Sequence, residues 1–265
     1  MSRIVLKLGG AVAEDAAAFA HSLAATHEVC VVHGAGPQIS AELERAGLEV
    51  RFVGGRRVTS LSALAVVRRS FAAVNAAMCA AIGAEAVPLF GDEIGLEAVR
   101  IAELGHVGSP VPSRPPAIEL VLAAGFVPVV APLAAGPLNV NADEAAAALA
   151  IGLRAEKLLF VSDVPGVLLG GAPAPRLDAA DARAAIASGE ARGGMAAKLE
   201  AALAALAGGV ARVRVGDLAA LADPARGTTI VAHHPHHDDR APGEGDRSRH
   251  QQQSLTAPPL AAHGV

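Results

Sequence analysis

The stretch Val5-Leu6-Lys7-Leu8-Gly9-Gly10 predicts a short buried strand that ends in a glycine turn. The strand lacks the alternation of polar and apolar residues that a half-exposed strand shows, so both of its faces are expected to be covered. Glycine lets backbone N–H groups approach a phosphate closely, and the lysine supplies positive charge to its oxygens. Alone, the stretch fits a tight turn with a solvated lysine equally well, and it does not match the Walker pattern.

Similar apolar runs recur along the chain and alternate with longer, alanine-rich segments. This alternation predicts an α/β protein, a three-layer αβα sandwich with helices on both faces of a mostly parallel central sheet. Residues 91–112 have shorter apolar pieces and are predicted to form a hairpin flap. The predicted strands are 3–8, 29–33, 86–90, 127–131, 157–162 and 211–215; the predicted helices are 14–25, 38–46, 60–82, 116–124, 142–152, 178–188 and 196–207.

Composition restricts the class of protein. The 265 residues are 52% hydrophobic with neither Trp nor Tyr, so the core is expected to be aliphatic. A net charge of -4 argues against a nucleic-acid surface, and no unbroken apolar run reaches the roughly 18 residues of a membrane helix. Cys30 and Cys79 lie in apolar segments and are predicted to be unpaired buried thiols. The chain is therefore expected to be cytoplasmic, with neither a membrane nor a nucleic acid as partner.

Residues 233–265 differ in character from the rest of the chain. They are rich in His, Pro, Gly, Arg and Gln without apolar periodicity, which predicts a disordered tail. The histidines of residues 233–237 resemble a metal-binding cluster, but a flexible polar segment lacks a fixed coordination shell. We therefore expect no native metal site there.

A second glycine turn, His33-Gly34-Ala35-Gly36, joins a predicted strand to a predicted helix. Such a junction is a natural anion site, because a helix N-terminus offers free amides and a positive dipole end. The alternative is a simple strand-to-helix turn. His33 has no second ligand at metal spacing and is expected to be structural.

The segment Asn139-Val140-Asn141-Ala142-Asp143 precedes a long alanine helix. One Asn or Asp there would be an ordinary helix cap, but three exceed the needs of a cap. In an extended entry Asn139 and Asn141 point to one side, and Asp143 falls in the first helical turn.

Basic residues and a further turn complete the pattern. Gly193-Gly194-Met195-Ala196-Ala197-Lys198 is a second glycine segment with a lysine. Arg56 and Arg57 lie in a predicted loop, where an arginine fork suits a carboxylate, but nothing local separates the two. Residues 162–168 follow a strand, at the sheet edge where nucleotides commonly bind.

In this order, the motifs resemble those of the amino acid kinase family, and within it the members that phosphorylate N-acetyl-L-glutamate. The resemblance extends over residues 3–231. The motifs that carry it are Lys7-Leu8-Gly9-Gly10, Val32-His33-Gly34-Ala35-Gly36-Pro37, Gly55-Arg56-Arg57-Val58-Thr59, Leu104-Gly105-His106-Val107-Gly108, Asn139-Val140-Asn141-Ala142-Asp143, Ser162-Asp163-Val164-Pro165-Gly166-Val167 and Gly193-Gly194-Met195-Ala196-Ala197-Lys198.

The resemblance implies an ATP-dependent phosphotransferase that forms N-acetyl-L-glutamyl 5-phosphate, the second step of arginine biosynthesis. It implies an N-terminal lobe, 1–138, for the acyl amino acid and dimer contacts, a C-terminal lobe, 139–232, for ATP, and the tail, 233–265. The acceptor carboxylate is already ionised at pH 7, so catalysis reduces to alignment and charge neutralisation without a protein base.

The resemblance also implies a role for each matching residue. Lys7 and Lys198 would stabilise the transferring phosphoryl group, and Asp143 would hold both lysines in place. Magnesium would bridge the ATP phosphates, without a metal site on the protein. The expected substrate-binding residues are Gly9, Gly10, Gly34, Ala35, Gly36, Arg57, Asn139 and Asn141; the expected ATP-binding residues are Ser162, Asp163, Val164, Gly166, Val167, Leu168, Glu190, Ala191 and Arg192.

Some features depart from the family pattern. Ala35 replaces a usual glycine beside the substrate, where its methyl group could crowd the backbone amides. The chain begins on its first strand and has a short final segment, so we expect an arginine-insensitive homodimer; a nitrogen-signalling partner is not predictable.

Two alternative functions stay open: a kinase for carrier-protein-linked aminoadipate or glutamate, and a non-catalytic regulator that binds an amino acid or nucleotide.

Overall fold

The computed structural model describes residues 1–9 and 14–232, without the side chain of Glu14. Gly10, predicted to bind substrate, lies outside the described residues. So does the tail, 233–265, for which we predicted disorder and no native metal site.

Sixteen strands and nine α-helices lie in the described residues. The strands are β1 (Arg3–Leu8), β2 (Glu28–His33), β3 (Phe52–Val53), β4 (Arg56–Arg57), β5 (Ala86–Phe90), β6 (Ala98–Arg100), β7 (Val107–Pro110), β8 (Val127–Ala131), β9 (Leu133–Ala134), β10 (Leu138–Val140), β11 (Lys157–Val161), β12 (Leu168–Leu169), β13 (Ala172–Pro173), β14 (Arg176–Asp178), β15 (Arg212–Gly216) and β16 (Thr228–Val231). The helices are α1 (Glu14–Ala24), α2 (Gly36–Arg45), α3 (Leu61–Ile82), α4 (Gly91–Ile94), α5 (Pro116–Ala123), α6 (Ala142–Gly152), α7 (Ala179–Ala187), α8 (Gly193–Ala207) and α9 (Leu218–Ala222), and a 3-10 turn covers Ala102–Leu104.

The central sheet has eight strands in the order β14-β16-β15-β11-β1-β2-β8-β5. The strands from β15 to β5 are parallel to their neighbours, whereas β16 is antiparallel to β15. All the strands predicted from apolar runs belong to this parallel part. The prediction of an αβα protein with a mostly parallel sheet is therefore confirmed.

A smaller sheet in the order β6-β7-β10-β9 adjoins one end of the main sheet's strands. Strands β6 and β7 are antiparallel, so the hairpin predicted within residues 91–112 is confirmed. Strand β10 pairs with β7 and places Asn139 opposite Val107. The predicted flap is thus connected by backbone hydrogen bonds to the strand that leads into α6.

Two apolar layers cover the sheet, one on each face. In β1, Val5 belongs to the layer that includes residues of α6 and α8, whereas Ile4, Leu6 and Leu8 belong to the layer of α1 and α3. Side chains alternate along a strand, so Lys7 lies on the same face as Val5, toward α6. The alternation of side chains along β1 therefore directs Lys7 toward α6, the helix that carries Asp143.

Helix α6 packs against both the sheet and α8 through small side chains. Residues 145–148 are all buried alanines, and Gly152 ends the helix against the backbone of Ser113. A β-carbon at Gly152 would lie 1.9 Å from the Ser113 carbonyl oxygen. Close approach of this helix to its neighbours thus depends on residues with little or no side chain.

Several boundaries and short elements differ from the sequence prediction. Helix α8 begins at Gly193 rather than residue 196, and the predicted loop around Arg56 and Arg57 is the hairpin β3–β4. Hairpin β12–β13 and strands β14 and β16 were not predicted. These strands have two to four residues, which is too short for a periodic signal.

Among the described residues, α3 is the one helix long and apolar enough to cross a membrane by length and composition. The sequence expectation concerned unbroken apolar runs, and this helix does not contradict it. Arg68 and Arg69 interrupt the run. Apolar residues of α3, such as Val67 and Phe71, are buried against α2 and the sheet.

Candidate functional site

Lys7, Asp143 and Lys198 form one ion-pair cluster at the centre of the molecule. Lys7 Nζ lies 2.9 Å from Asp143 Oδ1, and Lys198 Nζ lies 3.3 Å from Asp143 Oδ2. Their side chains are 8–12% exposed. Strand β1, the first turn of α6 and the second turn of α8 thus bring together residues that the sequence separates by most of the chain.

The cluster carries two positive charges and one negative charge in a largely buried place. Burial lowers the pKa of Lys7, the charge of Lys198 adds to that effect, and Asp143 opposes it. A buried charge is costly unless it is paired, so the extra positive charge favours a bound anion. The cluster therefore suits phosphate oxygens, whose charge would complete its neutralisation.

A cavity of about 180 Å³ opens beside this cluster. Its wall includes the N-terminal end of α2, where Gly34, Ala35 and Gly36 precede or begin the helix. Free N–H groups and the positive end of a helix dipole favour a negative ligand group at such an end. Lys7, Asp143, Arg57 and Asn139 also line the cavity.

Ala35 occupies this wall with a backbone conformation that does not require glycine. Its φ of -149° is negative, and its side chain is buried with Ile39 and Leu43. The alanine in place of the expected glycine thus narrows the wall by one methyl group and leaves the turn intact.

The structure distinguishes the two arginines of hairpin β3–β4. Arg57 is 6% exposed, and its Nη2 donates to the carbonyl of Gly36 at 3.0 Å and to Ser40 Oγ at 2.9 Å. Its Nη1 is buried without a hydrogen-bond partner among the described residues. Burial lowers the pKa of Arg57, and the ring of Phe52 lies 4.5 Å from its guanidinium carbon. Arg57 therefore lines the cavity with a buried guanidinium, one nitrogen of which has no partner among the described residues.

Arg56 has a different environment. Its Nε lies 3.0 Å from Glu144 Oε1, in the first turn of α6. Burial raises the pKa of Glu144, while Arg56 opposes that effect. Local sequence could not separate Arg56 from Arg57, because the direction of each side chain depends on the hairpin; the family resemblance alone selected Arg57.

Asn139 and Asn141 both reach toward the segment that contains this hairpin. Asn139 Nδ2 donates to Thr59 Oγ1 at 3.0 Å, and Asn141 Nδ2 donates to the carbonyl of Gly55 at 3.2 Å. Asn141 is also the N-cap of α6, because its Oδ1 accepts hydrogen bonds from the backbone N–H groups of Asp143 and Glu144. The two asparagines therefore position the cavity wall, and a substrate contact for either stays a prediction.

The residues predicted to bind ATP lie around the loop after β11 and the start of α8. The backbone N–H of Gly170 donates to Glu190 Oε1, which joins hairpin β12–β13 to the turn before α8. Ser162 Oγ donates to exposed Asp163 at 3.2 Å. Both segments that were predicted to contact the nucleotide thus adjoin each other.

Some of these residues can contribute only backbone atoms. The side chains of Val167 and Ala191 are buried in the core. A β-carbon at Gly166 would lie 2.7 Å from Thr228 Oγ1, and that hydroxyl accepts a hydrogen bond from the N–H of Val167 at 2.8 Å. Val164, Leu168 and Arg192 belong to these segments, whereas Gly9 directly follows β1; the predicted ligand contacts of all four stay predictions.

Other residues of the site were missed by sequence reasoning. Phe52 and Phe71 line the cavity, and Glu144 pairs with Arg56 beside it. Phe52 lies four residues before Arg56 in a two-residue strand, and Phe71 lies within a long apolar helix. Neither position carries a local signal that separates a cavity wall from an ordinary core or surface position.

His33 and the cysteines lie outside the cavity lining described above. His33 is fully buried, its ring contacts Phe71 edge to face at 5.9 Å, and burial lowers its pKa to about 4. Cys30 and Cys79 are unpaired, and burial raises their pKa values to about 12 and about 11. These environments fit the structural roles that the sequence predicted.

Comparisons with known proteins agree with this architecture. The profile of the amino acid kinase family matches residues 2–217. An acetylglutamate kinase from Solibacter usitatus is 44% identical over 236 residues, which cover 82% of this chain and 92% of that protein. An acetylglutamate kinase from Roseiflexus castenholzii is 37% identical over 247 residues, which cover 86% of this chain and 94% of that protein. Among solved structures, smu.665 from Streptococcus mutans superposes with a TM-score of 0.76 at 26% identity, covering 87% of this chain and 99% of the other.

Proposed function

The chain belongs to the amino acid kinase family, and we propose that it transfers the γ-phosphoryl group of ATP to the side-chain carboxylate of N-acetyl-L-glutamate. The product is N-acetyl-L-glutamyl 5-phosphate, and the reaction is the second step of arginine biosynthesis. The observation that carries the proposal is Asp143, which pairs with Lys7 and Lys198 beside a cavity that also contains Arg57.

Phosphoryl transfer between two oxygens requires alignment and charge neutralisation more than covalent chemistry by the protein. The acceptor carboxylate is ionised at neutral pH, so no side chain has to remove a proton. Lys7 and Lys198 are held at fixed positions by the two oxygens of Asp143. Their ammonium groups stabilise the negative charge that spreads over the transferring group, and fixed positions reduce the cost of reorganisation.

Acetylglutamate is oriented by groups at the other side of the cavity. Arg57, whose side chain lines the cavity, binds its free α-carboxylate through the guanidinium. The N–H groups near Gly34 and Gly36 lie at the start of α2 and favour an anionic oxygen. Asn139 and Asn141 hold the wall that faces the substrate through Thr59 and Gly55.

ATP binds at the loop after β11 and the start of α8, as its predicted residues imply. The backbone of residues 162–168 lines one side of the nucleotide, and residues 190–192 line the other. Magnesium enters as part of the Mg²⁺–ATP substrate, where it neutralises phosphate charge. Glycines at Gly193 and Gly194 open α8, so its first N–H groups are unobstructed by side chains.

We further propose that residues 1–138 form the lobe that binds the amino acid and residues 139–232 the lobe that binds ATP. The active protein is proposed to be a cytoplasmic homodimer that arginine does not inhibit. Sedimentation of the purified protein tests the dimer: a mass of two chains supports it, and a hexamer contradicts it. Inhibition by arginine in the millimolar range would contradict the second proposal.

The reaction is tested by trapping the acyl phosphate as its hydroxamate. The purified protein is incubated with Mg²⁺–ATP and one acceptor at a time: N-acetylglutamate, glutamate, aminoadipate or aspartate. Selective product from N-acetylglutamate supports the proposal. Protein that binds ATP but forms no product from any free amino acid contradicts it and favours a carrier-linked substrate or a regulatory role.

A further inference from the structure

Hairpin β3–β4 contacts α6 through an ion pair outside the phosphoryl-transfer centre. Arg56 Nε lies 3.0 Å from Glu144 Oε1, and Arg56 Nη2 donates to Glu144 Oε2 at 3.1 Å. The two side chains are 29% and 20% exposed. A guanidinium that meets both oxygens of a partly buried carboxylate fixes orientation as well as distance.

The tip of the same hairpin has two further contacts with the elements of the transfer centre. The carbonyl of Gly55 accepts a hydrogen bond from Asn141 at 3.2 Å. A β-carbon at Gly55 would lie 3.5 Å from the β-carbon of Ala197, the residue before Lys198. The hairpin therefore touches α6 next to Asp143 and α8 next to Lys198.

The hairpin cannot hold this position by itself. Its strands have two residues each, and Gly54 and Gly55 form its tip with φ values of 54° and 73°. Phe52 and Val53 are 52% and 46% exposed, so little apolar burial fixes its first strand. Isolated two-stranded hairpins are marginally stable in water, and the position of this one depends on contacts with other elements.

Arg57, the proposed carboxylate ligand, is the neighbour of Arg56 on this hairpin. Because Arg57 also donates to Gly36 and Ser40 of α2, the hairpin and α2 together set the position of the group that orients the acceptor relative to Lys7 and Lys198. A displacement of about 1 Å at a reacting centre can cost about 100-fold in rate. The Arg56–Glu144 ion pair is therefore placed to influence the distance between the bound acceptor carboxylate and the phosphoryl donor.

We infer that the Arg56–Glu144 pair is a latch that holds hairpin β3–β4 against α6 and so positions Arg57 over the transfer centre. Arg56 lines the cavity, but its guanidinium pairs with Glu144, so we assign both residues a positioning role. The inference rests on the proposed function for its kinetic consequence. Its structural part, the attachment of the hairpin, does not depend on the identity of the substrate.

A double-mutant cycle tests the latch. Arg56→Met and Glu144→Gln each remove one charge, and the double variant removes both. Each single change is expected to raise KM for N-acetylglutamate by about three- to tenfold and to leave KM for ATP within about twofold. The KM of the double variant for N-acetylglutamate is expected to be no higher than the higher of the two single-variant values. Arg56→Lys is expected to raise this KM less than Arg56→Met does.

A matched control removes another arginine at the same hairpin. Arg51 lies just before β3, and its Nε is 3.7 Å from Glu49 in an exposed pair. Arg51→Met is expected to leave both KM values unchanged. Equal effects of Arg51→Met and Arg56→Met, or additive effects in the cycle, would overturn the latch.

Hydrogen exchange separates the latch from the proposed function. Amides of residues 52–58 are expected to exchange faster in Arg56→Met and Glu144→Gln than in the wild type and Arg51→Met, in the absence of substrate. A wild type that forms no acyl phosphate contradicts the proposed function, whereas unchanged exchange in both variants contradicts the latch. Thermal unfolding of each variant identifies any general loss of structure.

Discussion

Arg57 lines the cavity with a buried guanidinium in which one nitrogen has no hydrogen-bond partner among the described residues. Nη2 is used by Gly36 and Ser40, while Nη1 has no partner among the described residues. A lysine at this position keeps the charge but cannot reproduce the fork. We therefore expect Arg57→Lys to raise KM for N-acetylglutamate about tenfold or more while leaving KM for ATP nearly unchanged. Initial-rate kinetics with each substrate varied test this; an unchanged KM for acetylglutamate contradicts the role of Arg57.

His33 is expected to make stability dependent on pH. Burial lowers its pKa from 6.5 to about 4, so below pH 6.5 the unfolded chain binds the proton that the folded protein excludes. Stability is therefore complete above about pH 6.5 and falls as the pH drops toward 4, by about 3 kcal/mol in total from this group. Urea unfolding between pH 4.5 and 7.5 measures the slope. A His33→Asn variant is expected to have a shallower slope; the wild-type slope in that variant contradicts the account.

The sequence predicted Lys7, Asp143 and Lys198 from local motifs, and the structure brings the three together. Lys7 lies near the end of a buried strand, and Asp143 falls in the first turn of an alanine helix. The family resemblance selected Arg57 as the substrate ligand, but local sequence could not separate it from Arg56, because the partners of both arginines lie on other elements. Local sequence also could not reveal that Asn141 caps α6 while donating to Gly55, since both contacts exist only after the hairpin has folded against the helix.

Helix α6 depends on small residues at its contacts. Gly152→Ala would increase intrinsic helix propensity by about 1 kcal/mol. The new β-carbon would nevertheless lie 1.9 Å from the carbonyl oxygen of Ser113, so backbone must move. We expect a net loss of about 1–3 kcal/mol in the free energy of unfolding.

Gly194→Ala is the matched control for this change. Gly194 lies in the first turn of α8, and a β-carbon there has no atom within 4 Å. The free energy of unfolding of the Gly194→Ala protein, measured in urea, is expected to equal or exceed that of the wild type. Equal stability of both variants would contradict the packing described for Gly152.

The long elements were predictable because burial on both faces leaves a continuous apolar run. The parallel strands were located to within one residue at each end by that signal. The start of α8 was placed three residues too late because Gly193 and Gly194 weaken helix propensity. The local signal of hairpin β3–β4 is its Gly54-Gly55 turn, because its strands are too short for a periodic pattern, and its place depends on contacts such as that with Asn141.

At the scale of the molecule, the described site is built from residues between Lys7 and Lys198. The parallel sheet brings β1 beside β11 and places α6 and α8 on one face, so distant residues meet. A chain that ends after Ala232 retains all these elements. We therefore expect truncation at that point to leave kcat and both KM values within about twofold of the full chain; a larger loss of kcat would assign a catalytic contribution to residues 233–265.

The most direct test is the rate of acyl-phosphate formation from N-acetylglutamate by Lys7→Met and Lys198→Met. Removal of one charge-stabilising donor is expected to lower kcat by about 100-fold or more in each variant. Lys157→Met is the control, because Lys157 pairs with Glu156 at the far end of β11. A wild-type rate in the control and the predicted losses in both variants support the account. A folded Lys7→Met or Lys198→Met protein with wild-type kcat contradicts it.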